Sequence, residues 1–256
     1  MSKAPQQRNI LIMTATITPP FGVSGLQRTD PLLRLEDYCA ALRYYCRFLG
    51  GCIDAIVFAE NSSSDMTSLE RVAAETVDGT VEFLAIDSKS NDPAGGRCSG
   101  ESRILDAVMA GSRIVAAAGR TDIFWKVTGR YRVLNMQALI RTRPTDFDFY
   151  CDLRSSPSPW ADMRFMAWTK QGFIRCLEGV GELIREDENR SRPGEETLYF
   201  VLRKRTRGGR AVTCLKREPL IDGVRAFDSK NWSEGRQKVV YYVRQVQRLL
   251  FRRVWI

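Results

Sequence analysis

Asp122-Ile123-Phe124-Trp125-Lys126-Val127-Thr128-Gly129-Arg130-Tyr131 is the segment of this chain with the clearest structural pattern. It begins as a short apolar run, which predicts a buried strand, and it ends in two cations, a hydroxyl and a glycine. Ligands bind at the carboxyl ends of strands in open α/β sheets, and a glycine there lets backbone approach the ligand closely. Arginine offers a planar fork of donors and lysine a point charge, so the pattern favours a bound diphosphate. The alternative is a strand followed by a solvated turn.

Strand and helix patterns alternate on both sides of this segment. In the first part, strands are predicted at 9–17, 53–59, 81–86 and 123–127, and helices at 32–49, 66–77 and 101–118. Farther along, strands are predicted at 147–151 and 164–168, and helices at 171–186, from 195 onward and at 237–256. Such alternation predicts an α/β fold with a mixed, mostly parallel sheet and helices on both faces.

The residue types that are missing exclude several function classes. The chain has no histidine, so a Ser-His-Asp or Cys-His nucleophile and an imidazole-bound zinc are excluded. A general base must then be Asp, Glu, Lys, Tyr or a group of the substrate. The seven cysteines include no Cys-x-x-Cys pair, and the first residues lack a secretory pattern. We therefore expect a cytoplasmic protein with reduced thiols.

Charge is distributed unevenly along the chain. Residues 203–256 hold 15 Lys and Arg against 4 Asp and Glu, whereas residues 1–202 hold 24 against 26. A basic segment attached to a slightly acidic body suggests an anionic partner for that segment. The acidic body carries no recognisable nucleic-acid-binding module, so nucleic acid is not the expected partner.

The basic segment ends in a predicted amphipathic helix at 237–256. Its apolar stripe consists of Val239, Val243, Val246, Leu250 and Val254. A basic row on the other side consists of Arg244, Arg248 and Arg252, with Phe251 and Trp255 nearby. This pattern favours a helix that lies on an anionic membrane surface, at the inner face of the membrane. Alternatively, the apolar stripe packs on the body, and the basic face of the helix is exposed to solvent.

Four further motifs precede Lys126–Tyr131 along the chain. They are Thr14-Ala15-Thr16, the spacing from Arg34 to Tyr38, Glu60-Asn61-Ser62, and Gly96-Arg97-Cys98-Ser99-Gly100-Glu101. In this order the five motifs resemble GT-A-type, sugar-nucleotide-dependent glycosyltransferases of bacterial surface-polysaccharide (O-antigen or capsule) assembly. More narrowly, they resemble the subset with Lys-x-Thr-Gly-Arg-Tyr in place of Asp-x-Asp. The resemblance covers roughly residues 9–202, and it departs from the pattern Gly-Lys-Gly-x-Gly-Glu at Arg97 and Cys98.

The resemblance implies a GT-A-like, Rossmann-related fold that moves a sugar from a nucleoside diphosphate sugar to a glycan or lipid-linked glycan acceptor. The catalytic domain would cover 1–202, with the nucleotide-sugar part at about 1–143 and the acceptor part at about 144–202. Residues 203–256 would form a basic C-terminal extension. Donor contacts are expected from Thr14, Thr16, Glu60, Asn61, Lys89, Gly96, Arg97, Gly100, Lys126, Thr128 and Arg130. A glycine-rich segment that leads into a helix also favours anion binding, although an ordinary flexible loop has the same composition.

The catalytic base is expected in the second half, where Glu195 and Glu196 open a predicted helix and relatives often carry a glutamate. We place Glu195 ahead of Glu196, although acidic residues in a first helical turn also simply favour the helix dipole. Asp162 and Arg164 are expected to contact sugar or acceptor, with Asp152 and Arg154 ranked behind them. The alternatives are a nucleotidyltransferase that makes an activated sugar, or a nucleotide-sugar-binding protein without catalytic activity.

No cofactor or metal is expected. Most GT-A enzymes neutralise the leaving diphosphate with a metal ion, but here Lys126 and Arg130 could supply the positive charge. Asp146-Phe147-Asp148 has the spelling Asp-x-Asp and could hold a divalent metal. It could equally be the polar side of a strand, because alternate strand residues point the same way.

Overall fold

The computed structural model describes residues 7–23, 25–75, 79–87, 96–184, 193–228 and 230–251. Its first elements are β1 (Asn9–Ala15), α1 (Pro31–Cys46), β2 (Ala55–Glu60), α2 (Thr67–Ala74) and β3 (Thr80–Ala85). As expected from the sequence, α1 starts at a proline and is capped by Asp30, whose carboxylate accepts from the amides of Leu32 and Leu33. The first five elements thus alternate as predicted.

The middle of the chain supplies the central strand and several short elements. They are α3 (Gly96–Gly111), α4 (Arg113–Ala116), β4 (Ile123–Thr128), β5 (Arg132–Val133), α5 (Met136–Thr142), β6 (Phe149–Tyr150), β7 (Leu153–Arg154), β8 (Trp160–Ala161) and β9 (Phe165–Trp168). The helix predicted at 101–118 differs from the structure in both of its bounds, because α3 includes Gly96 and ends at Gly111. It begins at Gly96 and is interrupted at Ser112, whose hydroxyl caps α4 through the amide of Val115. Gly96, Arg97 and Gly100 are therefore helical residues.

The last elements are α6 (Lys170–Cys176), α7 (Val180–Leu183), α8 (Gly194–Arg205), β10 (Ala211–Val212), β11 (Ile221–Asp222) and α9 (Gly235–Leu250). The helix predicted at 171–186 is two helices, because Gly179 adopts a left-handed conformation with φ of 67°. Glycine reaches that conformation at little cost, and it redirects the chain.

The central sheet has seven strands in the order β10-β6-β9-β4-β1-β2-β3. β1 lies parallel to both β2 and β4, and β3 is parallel to β2. β9 is antiparallel to β4 and β6, and β10 is parallel to β6. Two small ribbons, β11-β5 and β7-β8, complete the pairing of the described strands. The predicted α/β fold with a mixed, mostly parallel sheet is confirmed.

Both faces of the sheet are covered. Along β1, Leu11 and Met13 belong to one apolar layer, and Ile10 and Ile12 belong to the other. All four side chains are fully buried. A strand buried on both faces explains why β1 reads as a continuous apolar run rather than an alternating one.

The segment after residue 202, expected to form an extension, is packed into this body. α8 continues to Arg205, β10 joins the main sheet beside β6, and β11 pairs with β5. No helix among the described residues is both long enough and apolar enough to cross a bilayer.

Helix α9 is oriented opposite to the packed-stripe alternative. Val239, Val243, Val246 and Leu250 are each more than half exposed, whereas Arg248 is only 2% exposed. The reason is an ion-pair network, since the Arg248 guanidinium binds the carboxylates of Asp152 and Glu218. The basic row therefore faces the body and the apolar stripe faces outward. Arg252, Val254 and Trp255 lie outside the described residues.

Candidate functional site

A cavity of about 550 Å³ opens at the carboxyl ends of β1 and β4. Thr14 and Thr128, at the ends of these two strands, are register partners. The predicted site residues that line the cavity are Thr14, Thr16, Gly96, Arg97, Gly100, Thr128, Arg130, Asp162, Arg164 and Glu195. This volume is in the range of small-molecule sites, and residues predicted for donor, acceptor and base share it.

Glu101, on α3, connects the two strand ends. Its Oε1 atom lies 2.6 Å from Lys126 Nζ and accepts hydrogen bonds from Thr14 Oγ1 at 2.6 Å and Thr128 Oγ1 at 2.8 Å. The Lys126 side chain is completely buried, while that of Glu101 is 18% exposed and lines the cavity. Lys126 therefore lies behind Glu101, instead of presenting its amine directly to a ligand as we expected.

The sequence marked Glu101 only as the last residue of a motif, and we predicted no role for it. A signal for it was present, because a lysine inside an apolar strand needs a carboxylate partner when it is buried. Lys126 also donates to the hydroxyl of Thr128 at 3.2 Å and to the carbonyl of Met163. The cluster thus ties β4 to the segment before β9.

Arg130 forms part of the cavity wall in a fixed position. Its guanidinium donates to the carbonyl of Val224 and, at 2.7 Å, to the hydroxyl of Tyr131. Just before it, the amide of Gly129 donates to the carbonyl of Thr14 at 2.9 Å, and a Cβ at position 129 would lie 2.7 Å from that oxygen. Only glycine permits this approach, which brings the ends of β1 and β4 together.

The motif from Arg34 to Tyr38 shapes the loop after β1. Arg34 Nε donates to the carbonyl of Thr16 at 2.8 Å, and the Tyr38 hydroxyl accepts from the amide of Thr16 at 2.9 Å. The hydroxyl of Thr16 in turn donates to Asn61 Oδ1 at 2.7 Å. These bonds fix the backbone at the cavity edge.

Glu60 and Asn61 are buried and do not line the cavity, which differs from the expected donor contacts. The Glu60 carboxylate accepts from the amides of Ile17 at 2.9 Å, Ser62 at 2.9 Å and Ser64 at 3.2 Å. Its lone pairs are used to hold the loops after β1 and β2. Lys89 lies outside the described residues.

Arg97 is the exposed cation of the cavity wall, in the first turn of α3. Within the described part of the chain it makes no hydrogen bond or ion pair, and its side chain borders the cavity together with Gly96 and Gly100. The first amides of a helix lack intrahelical acceptors and carry partial positive charge. An arginine at such a helix start is suited to an anionic group.

The other side of the cavity combines arginines with tryptophans. Arg164 binds Asp162 through Nε and Oδ1 at 2.8 Å, and its guanidinium lies 4.3 Å from the ring centre of Trp232. Arg154 lies over Trp160 at 5.9 Å. Burial, followed by the positive charge of the cavity-lining Arg244, lowers the pKa of Arg154. The sequence assigned no role in this site to Trp160, Trp232 or Arg244, whereas Arg154 was a candidate for a sugar or acceptor contact.

Asp162 is ionised in this environment. Burial alone would raise the pKa of Asp162, but the charge of Arg164 and its hydrogen bonds outweigh burial and hold that pKa below its usual range. The carboxylate is thus committed to the ion pair with Arg164 and is a poor proton acceptor.

Glu195 and Glu196 occupy the first turn of α8, as predicted, but only Glu195 lines the cavity. The helix starts at Gly194, directly after Pro193. The start of this helix therefore places one carboxylate at the cavity and turns its neighbour away from it.

Asp146 and Asp148 lie at the opposite edge of the sheet. Asp148 immediately precedes β6, where Phe149 pairs with Trp168, and Trp168 also pairs with Phe124 near the start of β4. Arg210 binds both carboxylates, reaching Asp148 Oδ1 at 2.7 Å. Among the described residues, no group of three Asp, Glu, Cys or His side chains is arranged to hold a metal ion.

Comparison with known proteins finds similarity only among solved structures. No protein-family profile matches the chain, and no curated protein matches its sequence. A structure from Desulfovibrio desulfuricans G20, described as a nucleotide-diphospho-sugar transferase, matches with 10% identity, a TM-score of 0.44, and coverage of 78% of this chain and 77% of that one. A 4-diphosphocytidyl-2C-methyl-D-erythritol synthase matches with 8% identity, a TM-score of 0.40, and coverage of 94% and 99%. Glucosyl-3-phosphoglycerate synthase from Mycobacterium tuberculosis, in complex with Mn²⁺ and UDP, matches with 10% identity, a TM-score of 0.40, and coverage of 66% and 59%. These similarities are distant in both sequence and backbone.

Proposed function

We propose that this protein is a glycosyltransferase that moves a sugar from a nucleoside diphosphate sugar to a glycan or lipid-linked glycan acceptor. The observation that carries the proposal is the charge of the cavity. Six arginines line it (Arg34, Arg97, Arg130, Arg154, Arg164 and Arg244), against three acidic residues (Glu101, Asp162 and Glu195). The excess of positive charge suits a polyanionic ligand, and a nucleoside diphosphate is such a ligand.

The donor diphosphate is proposed to bind between Arg97 and the ends of β1 and β4. Arg97 supplies a cation without a protein partner in the described chain, and Arg130 supplies one that is already oriented by Val224 and Tyr131. When the sugar–phosphate bond breaks, the electron pair remains on the diphosphate. Fixed cations stabilise this developing charge more than the ground state, which lowers the barrier.

The acceptor is proposed to bind on the side lined by Arg154, Trp160, Asp162, Arg164 and Trp232. Tryptophan faces provide flat apolar surface for sugar rings, and the paired Asp162 and Arg164 offer hydrogen bonds at their edges. In an inverting reaction, Glu195 would take the proton of the attacking acceptor hydroxyl while that oxygen bonds to the anomeric carbon.

Transfer is proposed to proceed without a divalent metal. The support is the charge of the cavity wall at the ends of β1 and β4, where Arg97 and Arg130 lie. Asp146 and Asp148 are bound by Arg210 at the other edge of the sheet, away from the cavity. Release of nucleoside diphosphate in the presence of excess EDTA tests this part.

The test of the whole proposal begins with a panel of sugar nucleotides screened by thermal shift, because a ligand that binds the native state raises its stability. With the donor found, Glu195→Gln should lower turnover by about two to four orders of magnitude and leave nucleotide binding intact. Glu196→Gln is the matched control and should retain turnover, because Glu196 does not line the cavity.

Several outcomes would contradict the proposal. Failure of every sugar nucleotide to bind removes the donor site. Formation of a nucleoside diphosphate sugar from a sugar phosphate and a nucleoside triphosphate would instead identify a nucleotidyltransferase. Mild effects at both Glu195 and Glu196 would remove α8 from the chemistry.

A further inference from the structure

The outer face of α9 is an apolar surface that no described part of the chain covers. Six of its residues recur at spacings of three and four, and each is at least 55% exposed: Val239, Val243, Val246, Tyr242, Leu249 and Leu250. We refer to these six residues as the outer stripe. The residue that follows α9, Phe251, is 60% exposed as well. A contiguous exposed apolar stripe of this kind marks an interaction surface.

The inner face of the same helix fixes this orientation. Arg248 is sealed between Asp152 and Glu218, and Gln245 Oε1 accepts from the amide of Glu218 at 3.0 Å. Rotating α9 to bury the outer stripe would expose these bonds and leave the carboxylates of Asp152 and Glu218 without a counter-charge. The apolar side must therefore be covered by something outside the described chain.

From this arrangement we infer that the outer stripe lies in the surface of an anionic lipid membrane. The helix has 16 residues, which corresponds to about 24 Å, and it is too short and too basic to span a bilayer. An amphipathic helix lying in the plane of the interface satisfies both constraints. This inference concerns where the protein acts and does not depend on the proposed reaction.

Charge around the stripe favours lipid over a second copy of the chain. Arg236 and Lys238 are exposed in the first turns of α9. Lys216 and Arg217 are also exposed, directly before Glu218, which contacts the helix. The sequence continues after Phe251 with Arg252 and Arg253. Anionic headgroups attract these cations, whereas a second copy would bring like charges together.

The helix that carries the outer stripe also contributes to the cavity wall. Gln237 and Arg244 line the cavity from the inner face of α9, the face that carries the buried Arg248. A membrane that holds the outer stripe would therefore be separated from this part of the cavity wall by about one helix diameter.

The mechanism of adsorption differs from the one the sequence predicted. The basic row was expected to meet the headgroups, but Arg248 is buried and Arg244 lies near Glu218 at 3.5 Å. Apolar insertion should then provide the larger part of binding, with the flanking cations adding selectivity for anionic lipid. Binding should persist in part at high salt, because only the electrostatic part is screened.

The test is co-sedimentation of the full-length protein with vesicles of phosphatidylglycerol or of phosphatidylcholine. We expect binding to the anionic vesicles and weaker binding to the neutral ones. The double variant Val243→Gln/Val246→Gln should lower the partition coefficient by about tenfold or more, because two apolar side chains no longer insert. Glutamine is a good helix former, so these exposed changes leave α9 intact.

The matched control is Ile174→Gln/Leu183→Gln, which removes two similarly exposed apolar side chains on α6 and α7. It should bind vesicles as the unaltered protein does. The inference is wrong if the unaltered protein ignores phosphatidylglycerol vesicles, or if both double variants bind equally well. Light scattering detects the competing arrangement, a dimer. If the unaltered protein is a dimer that does not bind vesicles, and if Val243→Gln/Val246→Gln dissociates that dimer, a second copy of the chain covers the stripe.

Discussion

Two buried clusters of cations and carboxylates lie in different regions of this molecule, and only one of them opens to solvent. The strand-end cluster joins Lys126 to Glu101 beneath the cavity. The C-terminal cluster joins Arg248 to Asp152 and Glu218 beneath α9. In the sequence, both cations stand among apolar residues, and we predicted both to face a charged partner outside the protein.

The difference lies in what the carboxylates can still reach. Glu101 is 18% exposed and borders the cavity, so its bonds to Thr14, Thr128 and Lys126 can respond to a ligand. In the C-terminal cluster, the side chains of Arg248 and Asp152 are each 1% exposed, and Arg248 also donates to the carbonyl of Leu215 at 2.6 Å. A cluster that is sealed from solvent and fully hydrogen-bonded stabilises the fold, whereas a cluster that is open to solvent can also contact a ligand.

The largest effect is expected from Arg248→Ala. Removing the guanidinium leaves Asp152 and Glu218 buried without a counter-charge, which should lower the free energy of unfolding by about 3–5 kcal/mol. Urea denaturation measures this change in the free energy of unfolding. Arg236→Ala, an exposed position in the same helix, should change stability by no more than about 0.5 kcal/mol. Equal effects of the two substitutions would mean that the C-terminal cluster is not sealed.

A smaller effect is expected when the strand-end cluster is cut. Lys126→Met leaves the Glu101 carboxylate unpaired, but its exposed part can be hydrated, so the loss of stability should be about 1–3 kcal/mol. Adding Glu101→Gln should recover part of that loss, because the unpaired charge is then gone. A double-mutant cycle should give a coupling of about 0.5–3 kcal/mol. Strict additivity would show that the two side chains do not interact.

The smallest effect is expected in the pH dependence of stability, and it comes from Asp162, which lies in the segment between the two clusters. The amide of Asp162 donates to the carbonyl of Asp152 at 3.0 Å, and Lys126 donates to the carbonyl of Met163. The pKa of Asp162 lies below its ordinary value of about 3.9, because Arg164 outweighs burial. Its contribution to stability is therefore present above about pH 4 and is lost as pH falls through the lowered pKa.

Stability measured across the acid range checks this sign. In Asp162→Asn the stability lost on acidification should be smaller than in the unaltered protein, because one carboxylate with a depressed pKa is missing. Glu196→Gln, at a partly exposed carboxylate, is the control and should keep the acid dependence. An unchanged acid dependence in Asp162→Asn would mean that the ion pair with Arg164 contributes nothing.

The local pattern of the sequence was sufficient to predict the strands of the parallel half of the sheet. Apolar runs that end in polar residues located β1, β2, β3 and β4, and the capping residue Asp30 located α1. It was insufficient where a tertiary partner decides the outcome. Helical periodicity places Val243 and Arg248 on different faces of α9, but it cannot say which face is buried. That choice depends on Asp152, which lies almost a hundred residues away.

The same limit applies to the candidate site. Ten of the predicted residues meet in one cavity, because strand ends and helix starts converge at one sheet edge. The bonds of Glu60 to three loop amides could not be predicted, because they follow from the path of the backbone and not from its own neighbours in sequence. Trp160 was missed because β7 and β8 have only two residues each, and such short strands leave hardly any periodic signal.

The cavity draws on distant parts of the chain, and this has a consequence for biosynthesis. Translation releases a chain from its N-terminal end, and early segments begin to fold before later ones are made. A nascent chain that has emerged as far as α8 has the parallel strands and Glu101, but not Val224, which orients Arg130, nor Gln237 and Arg244, which line the cavity. The cavity is completed only when α9 leaves the ribosome. A truncated or stalled product would therefore have the strand ends of the site and an unfinished wall.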